Sequence, residues 1–338
     1  MKKALIFVGA ALALIACSKT ETVVNEEVGE IAVNAVVSNQ TRGAEFYNED
    51  NVLPTDNSYE IYVGANSSQN ASFLDNVLFA YRDSKWGAST KSGSTYTAAS
   101  VYWPVGGQKV DFLAYAKPAD SDLAPVFDGT KKADKFTVSS WNTFNKQVDL
   151  LYAIANNKKN QAAPVDMLFN HTQALIIFNV RYNTGNGTFK VKEVKFANKY
   201  TTGTLEVNNE RNNVVVDWKT SGTAADLVMP DGTTDGDASK VQGSNATTKI
   251  VAYNTAIAQG TAFKQLGETL LVIPQPASNP IITYTIAPGE NPVEYTIELN
   301  AKRLDWEAGY AYIYDLSFNN NEITLNPTVV PWTVVDPS

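Results

Sequence analysis

Apolar side chains recur at every second position in several separate stretches of this sequence, and that period restricts the fold more than any other feature. Ile31, Val33, Ala35 and Val37 alternate in this way, as do Tyr59, Ile61 and Val63, and again Ile176, Phe178, Val180 and Tyr182. Two later stretches repeat the pattern with Val293, Tyr295, Ile297 and Leu299, and with Tyr310, Tyr312, Tyr314, Leu316 and Phe318. A period of two puts successive side chains on opposite faces of a pleated strand, so each stretch predicts a half-buried antiparallel strand. Turn formers separate the stretches, among them Asn183-Thr184-Gly185-Asn186-Gly187, Pro230-Asp231-Gly232 and Ala287-Pro288-Gly289. Helical periodicity is nowhere sustained beyond a turn or two. The expected class is an all-β sandwich.

The N-terminus reads as an export signal. Lys2 and Lys3 precede an apolar run from Ala4 to Ala16 that ends Leu14-Ile15-Ala16-Cys17. A membrane-spanning helix needs about 20 apolar residues, and this run is shorter. With Cys17 directly after the small Ala16, the pattern predicts a lipoprotein signal over residues 1–16 and a lipid on Cys17. Cys17 is the only cysteine, so no intramolecular disulfide is available and stability has to come from burial. The formal net charge is −8, and it becomes −10 from Cys17 onward once Lys2 and Lys3 leave with the signal. No basic cluster occurs anywhere, which excludes nucleic acid as an expected partner.

Length after the signal favours two domains, with a polar, Pro-terminated connector between Ala155 and Pro164 as the expected junction. The expected organisation is a segment over 17–42 with a removable strand, then β-sandwich domains over 43–160 and 161–338. The stretch from Asp226 to Lys249 is rich in Gly, Ser, Thr and Asp and predicts a long solvated loop. Asp231, Asp235 and Asp237 within it match no defined calcium-loop spacing. The chain has one histidine, His171, so zinc sites built on several histidines are excluded and the lone cysteine excludes thiolate sites. His171 stands at the entry to an apolar strand, where a structural role is expected. No phosphate-cradling glycine loop and no nucleophile elbow occurs, and neither a catalytic site, a cofactor nor a metal is expected.

Five blocks taken together resemble the Bacteroidales-type (type V) fimbrillin family. Tyr102-Trp103-Pro104 followed by Val110-Asp111-Phe112-Leu113-Ala114-Tyr115 resembles one family block. Met167-Leu168-Phe169-Asn170-His171, with Ala174 and Ile176-Ile177-Phe178, resembles a second. Leu270 to Gln275, Trp306 to Tyr314 and the terminal Val330-Pro331-Trp332 complete the set. The resemblance implies two tandem transthyretin-like sandwich domains and display on the cell outer membrane as a lipoprotein of a fimbrium. It also implies assembly with other pilin subunits by donor-strand exchange, after an arginine-specific protease removes an N-terminal strand.

On that reading the displaced strand carries Ile31, Val33, Ala35 and Val37, and the cut falls between Arg42 and Gly43. Arg42 is the only Lys or Arg between Lys19 and Arg82; an ordinary exposed loop arginine is the plainer reading of it. The donor is expected at the C-terminus, with Ile323, Leu325, Val330, Trp332 and Val334 as its knobs. A host or bacterial surface ligand is a further expected partner. Two other classes stay open. A surface glycan-binding lipoprotein would use exposed members of the 6 Trp and 16 Tyr to stack on sugars, and a glycosidase would need two facing carboxylates. A row of tryptophans on one exposed face would favour glycan binding, and tryptophans in the cores would favour the pilin.

Overall fold

A computed structural model describes residues 28–38, 52–144, 147–185, 187–210, 213–231, 251–287, 291–301, 304–319 and 322–332. The described chain is all-β, as the alternating stretches predict. Its first strands are β1 (Ala32–Val37), β2 (Tyr59–Ser67), β3 (Leu74–Arg82), β4 (Lys85–Ser92), β5 (Thr95–Ala98) and β6 (Val110–Pro118). They are followed by β7 (Val126–Phe127), β8 (Lys135–Asn142), β9 (Leu151–Lys158) and β10 (Val165–His171). An eight-stranded sheet runs in the order β1-β10-β9-β6-β2-β3-β4-β5, and β1 also pairs with β4. Seven of these strands therefore form a ring that β1 closes, and the side chains inside it, from Ile31 to Phe169, make one core.

The later strands are β11 (Ala174–Thr184), β12 (Thr188–Lys199), β13 (Thr202–Asn209), β14 (Val214–Ser221), β15 (Ala225–Val228), β16 (Lys264–Gln265) and β17 (Leu270–Val272). The last six are β18 (Gln275–Pro276), β19 (Pro280–Ala287), β20 (Val293–Glu298), β21 (Asp305–Trp306), β22 (Tyr310–Asn319) and β23 (Glu322–Pro331). A five-stranded sheet, β16-β11-β22-β23 with β17 also on β11, faces a four-stranded sheet, β15-β12-β19-β20. Phe178, Phe196, Trp306 and Tyr314 fill the space between them. Every second residue of β11 enters that core, while Leu175 and Ile177 turn to a smaller cluster on the opposite face. This explains the unbroken apolar run of β11, which is buried on both sides.

A third sheet, β14-β13-β8-β7, joins the two halves, because β8 comes from the first and the β13–β14 hairpin from the second. It covers the outer face of the ring, packing Phe127, Phe136, Leu205 and Val207 on Leu113 and Tyr115. Gly64 permits that approach, since a Cβ there would collide with the Lys132 carbonyl and with the Phe127 ring. The junction expected at residue 160 falls between β9 and β10, which are paired neighbours in the first sheet. Strand pairing changes sheets at Thr172 and Gln173. The start of the expected loop after Asp226 holds β15, with Leu227 and Met229 buried; residues 232–250, with Asp235 and Asp237, lie outside the described residues.

One buried ionic cluster lies on the outside of β2. Glu60 is 1% exposed and accepts hydrogen bonds from Tyr62 at 2.9 Å and Tyr96 at 2.8 Å, with Lys91 and Lys117 as ion-pair partners. Burial alone would raise its carboxyl, but the bonds from Lys91, Tyr96 and Tyr62 and the charge of Lys117 hold it below the ordinary 4.5. A carboxyl depressed by folding contributes stability above its unfolded value and loses it as the pH falls through the folded one. Glu60→Gln is expected to flatten the acid limb of the melting profile below pH ~4.5. An unchanged acid limb, measured by thermal melts across pH, would remove Glu60 from the acid response.

Candidate strand-exchange site

The side chains of β1 are sorted by parity. Ile31, Val33, Ala35 and Val37 are at most 2% exposed, whereas Asn34 is exposed. The strand runs parallel to β10, with Val33 opposite Val165, Ala35 opposite Met167 and Val37 opposite Phe169, so the inward residues of both strands share one core face. On its other side it meets β4 through Ala32–Gly87 and Val33–Trp86. Backbone bonds also alternate. Ser38 N–H donates to Phe169 O on β10 at 2.6 Å, while Ile31 N–H donates away from β10 to Val101 O at 2.8 Å. Trp103, edge-on to Phe112 at 5.8 Å, ties the entry to β1 by donating its N–H to Gly29 O at 3.0 Å. On the outer face Asn34 Nδ2 donates to Asp166 Oδ1 at 2.9 Å.

Removing β1 would therefore leave a slot with an apolar floor and unpaired backbone on the β10 side, the kind of edge that accepts an added strand. Cys17, Arg42 and Gly43 lie outside the described residues, as does Val334.

At the other end of the chain, β23 pairs among the described residues with β22 alone, antiparallel, and forms a sheet edge there. Ile323 and Leu325 are half-buried against the core between the two C-terminal sheets. Val330 and Trp332 turn to the opposite face, into the cluster of Leu175, Ile177, Leu271, Ala311 and Ile313. The knobs expected to form one row thus divide between two faces, because the step from Leu325 to Val330 is odd and the pleat alternates. Trp332 is 1% exposed and lies flat on His171, ring centres 3.7 Å apart and 11° from parallel. His171 Nδ1 meets Asp149 Oδ1 at 2.8 Å, and Tyr59 donates to Asp149 Oδ2 at 3.3 Å. This enclosed histidine anchors the C-terminal segment on the end of β10.

Five of the six tryptophans, Trp86, Trp103, Trp141, Trp306 and Trp332, are buried. The sixth, Trp218, is half-buried beside a cleft with Pro274, Pro276 and Asp305. Its Nε1–H is used by Thr172 O at 2.7 Å and its ring stands edge-on to Trp141 at 5.4 Å. No row of tryptophans lines an exposed face. Among the described residues, no group of three His, Cys, Asp or Glu is placed to hold a metal.

Residues 41–332 match a family model described as fimbrillin-like. No curated protein matches the chain. Among solved structures, the chain is similar to a fimbrial protein from Bacteroides vulgatus, with 16% identity, a TM-score of 0.58, and coverage of 90% of this chain and 100% of that one. It is also similar to a candidate cell adhesion protein from Bacteroides ovatus, with 15% identity, a TM-score of 0.54, and coverage of 91% and 99%. A candidate cell adhesion protein from Bacteroides uniformis gives 19% identity, a TM-score of 0.52, and coverage of 90% and 99%. At these identities the likeness is one of fold.

Proposed function

The chain belongs to the fimbrillin-like family, and from that premise we propose that it is a structural subunit of a cell-surface fimbria with a role in adhesion. Its work is assembly rather than catalysis. The subunit polymerises when an arginine-specific protease cuts between Arg42 and Gly43, the strand with Ile31, Val33, Ala35 and Val37 leaves, and a neighbour's C-terminal strand replaces it. A lipid on Cys17 holds the precursor at the outer membrane.

The observation that carries this reading is the position of β1. It is the closing strand of a ring, and the chain beyond it contains one basic residue, Arg42, before Arg82. A single cut there frees β1 from the rest of the chain without breaking any other described strand. The burial of the tryptophans argues against the glycan-binding alternative, which needs rings open to a sugar.

Treatment of the full-length protein with an arginine-specific protease is expected to give a trimmed product whose N-terminal residue is Gly43, while Arg42→Ala stays uncut at that position. A first residue other than Gly43 would overturn the assigned site. Cys17→Ala is expected to abolish incorporation of a labelled fatty acid.

A further inference from the structure

The segment at the start of β23 resembles the stretch Glu30–Val37 that contains β1. Glu30-Ile31-Ala32-Val33-Asn34-Ala35-Val36-Val37 and Glu322-Ile323-Thr324-Leu325-Asn326-Pro327-Thr328-Val329 align without a gap. They share Glu, Ile, Asn and the final Val at equivalent positions, and Val33 is matched by the aliphatic Leu325. Resting on the strand-exchange reading above, we propose that Glu322–Val329 enters a second copy of this chain in the register of Glu30–Val37. There Asn326 takes the place of Asn34 beside the second copy's Asp166.

Three independent features of the two strands agree with that register. The first is the inward row. Ile31, Val33, Ala35 and Val37 fill the ring core, and the residues that would replace them, Ile323, Leu325, Pro327 and Val329, are all apolar. Shifting the register by one residue would instead present Thr324, Asn326 and Thr328 to an apolar floor. Val330 and Trp332, which turn to the opposite face, lie beyond the span of β1 and need no place in the slot.

The second feature is the asparagine. Asn is disfavoured in strands, so one on the outer face of each copy calls for a partner. Asn34 has Asp166 opposite it, at 2.9 Å between Nδ2 and Oδ1. In its own sheet Asn326 stands opposite Asp315, so it passes from one aspartate neighbour to another.

The third is the proline. A proline cannot donate to a ladder and would be excluded from a strand position whose N–H is needed. Pro327 falls where Ala35 stands. Along Ile31–Ser38, the stretch that contains β1, odd-numbered N–H groups point away from β10, as the bond from Ile31 to Val101 O indicates, and the even side is the one Ser38 uses to reach Phe169. The carbonyl of Ala35 accepts from Leu53 N–H at 3.4 Å, and a proline retains that carbonyl. The β10 ladder therefore accommodates proline at this position. Supply is favourable as well, because among the described strands β23 has one neighbour whereas β1 has two.

The test is a disulfide trap between full-length chains that both carry Cys17→Ser. One carries Asp166→Cys and the other Asn326→Cys; both are treated with an arginine-specific protease, mixed, mildly oxidised and run without reductant. Facing residues on neighbouring strands are about 4.8 Å apart, within disulfide reach, while a shift of two residues stretches the pair to about 8 Å, beyond it. Asp166→Cys with Asn326→Cys is expected to give at least about tenfold more linked dimer than with Thr324→Cys or Thr328→Cys. A polymer whose link is strongest at either threonine position would overturn the register and leave strand exchange standing. A mixture that neither polymerises nor links would overturn both.

Discussion

Excising β1 from the folded chain is expected to cost the N-terminal half roughly 5–9 kcal/mol, from the burial of Ile31, Val33 and Val37 at about 1.5–3 kcal/mol each. Whole domains are stable by only about 5–15 kcal/mol, so a ring without β1 is expected to be marginal by itself, which is what the proposed strand exchange requires. The same logic applies to the intact chain. Val33→Asp places a carboxylate at a position 1% exposed, between β10 and β4, with no described cation beside it. It is expected to destabilise by more than about 4 kcal/mol, seen as an early transition in urea denaturation. Asn34→Ser, on the exposed face, loses one hydrogen bond and is expected to cost about 1 kcal/mol. Equal effects of the two substitutions would mean that β1 does not close the ring.

Trp332→Ala is expected to cost about 3–5 kcal/mol, the range for truncating a buried aromatic. For a unit of this size that is a fall in melting temperature of roughly 6–20 °C. The indole fills a cluster with Leu175, Ile177 and Ile313 and covers the face of His171, whose other contact is the buried Asp149. Trp332→Phe keeps a ring on His171 and is expected to recover most of the loss. Two atoms at this stack, His171 Nε2 and Trp332 Nε1, are buried without a hydrogen-bond partner among the described residues, which partly offsets what the packing contributes. A melting temperature unchanged in Trp332→Ala would mean that the segment is not seated there.

The first strand was legible because Ile31, Val33, Ala35 and Val37 repeat with a period of two and nothing interrupts them. The all-β class was legible for the same reason. The ring was not, since it depends on β1 lying parallel to β10, about 130 residues further on, and a local period carries no information about a distant partner. That pairing draws β10 into the first sheet, so that strand pairing changes sheets only at Thr172. Leu325 and Val330 illustrate a signal that was present in the sequence. Their odd spacing already divides the C-terminal knobs between two faces, and the even spacing from Ile323 to Val329 picks out the row that matches β1. A structural role for His171 was expected from the apolar strand that follows it; the residue in fact ends β10, and its stack with Trp332 joins residues 161 positions apart and required the fold.

The most direct measurement is the size distribution of the trimmed protein incubated alone, followed on a denaturing gel without boiling. A ladder of subunit multiples that collapses to one band on boiling is expected. Untrimmed Arg42→Ala protein is expected to give no ladder by itself and to shorten the ladder when mixed in, because such a chain would donate a strand but not accept one. Trimmed protein that stays monomeric, or uncut protein that polymerises equally well, would contradict it.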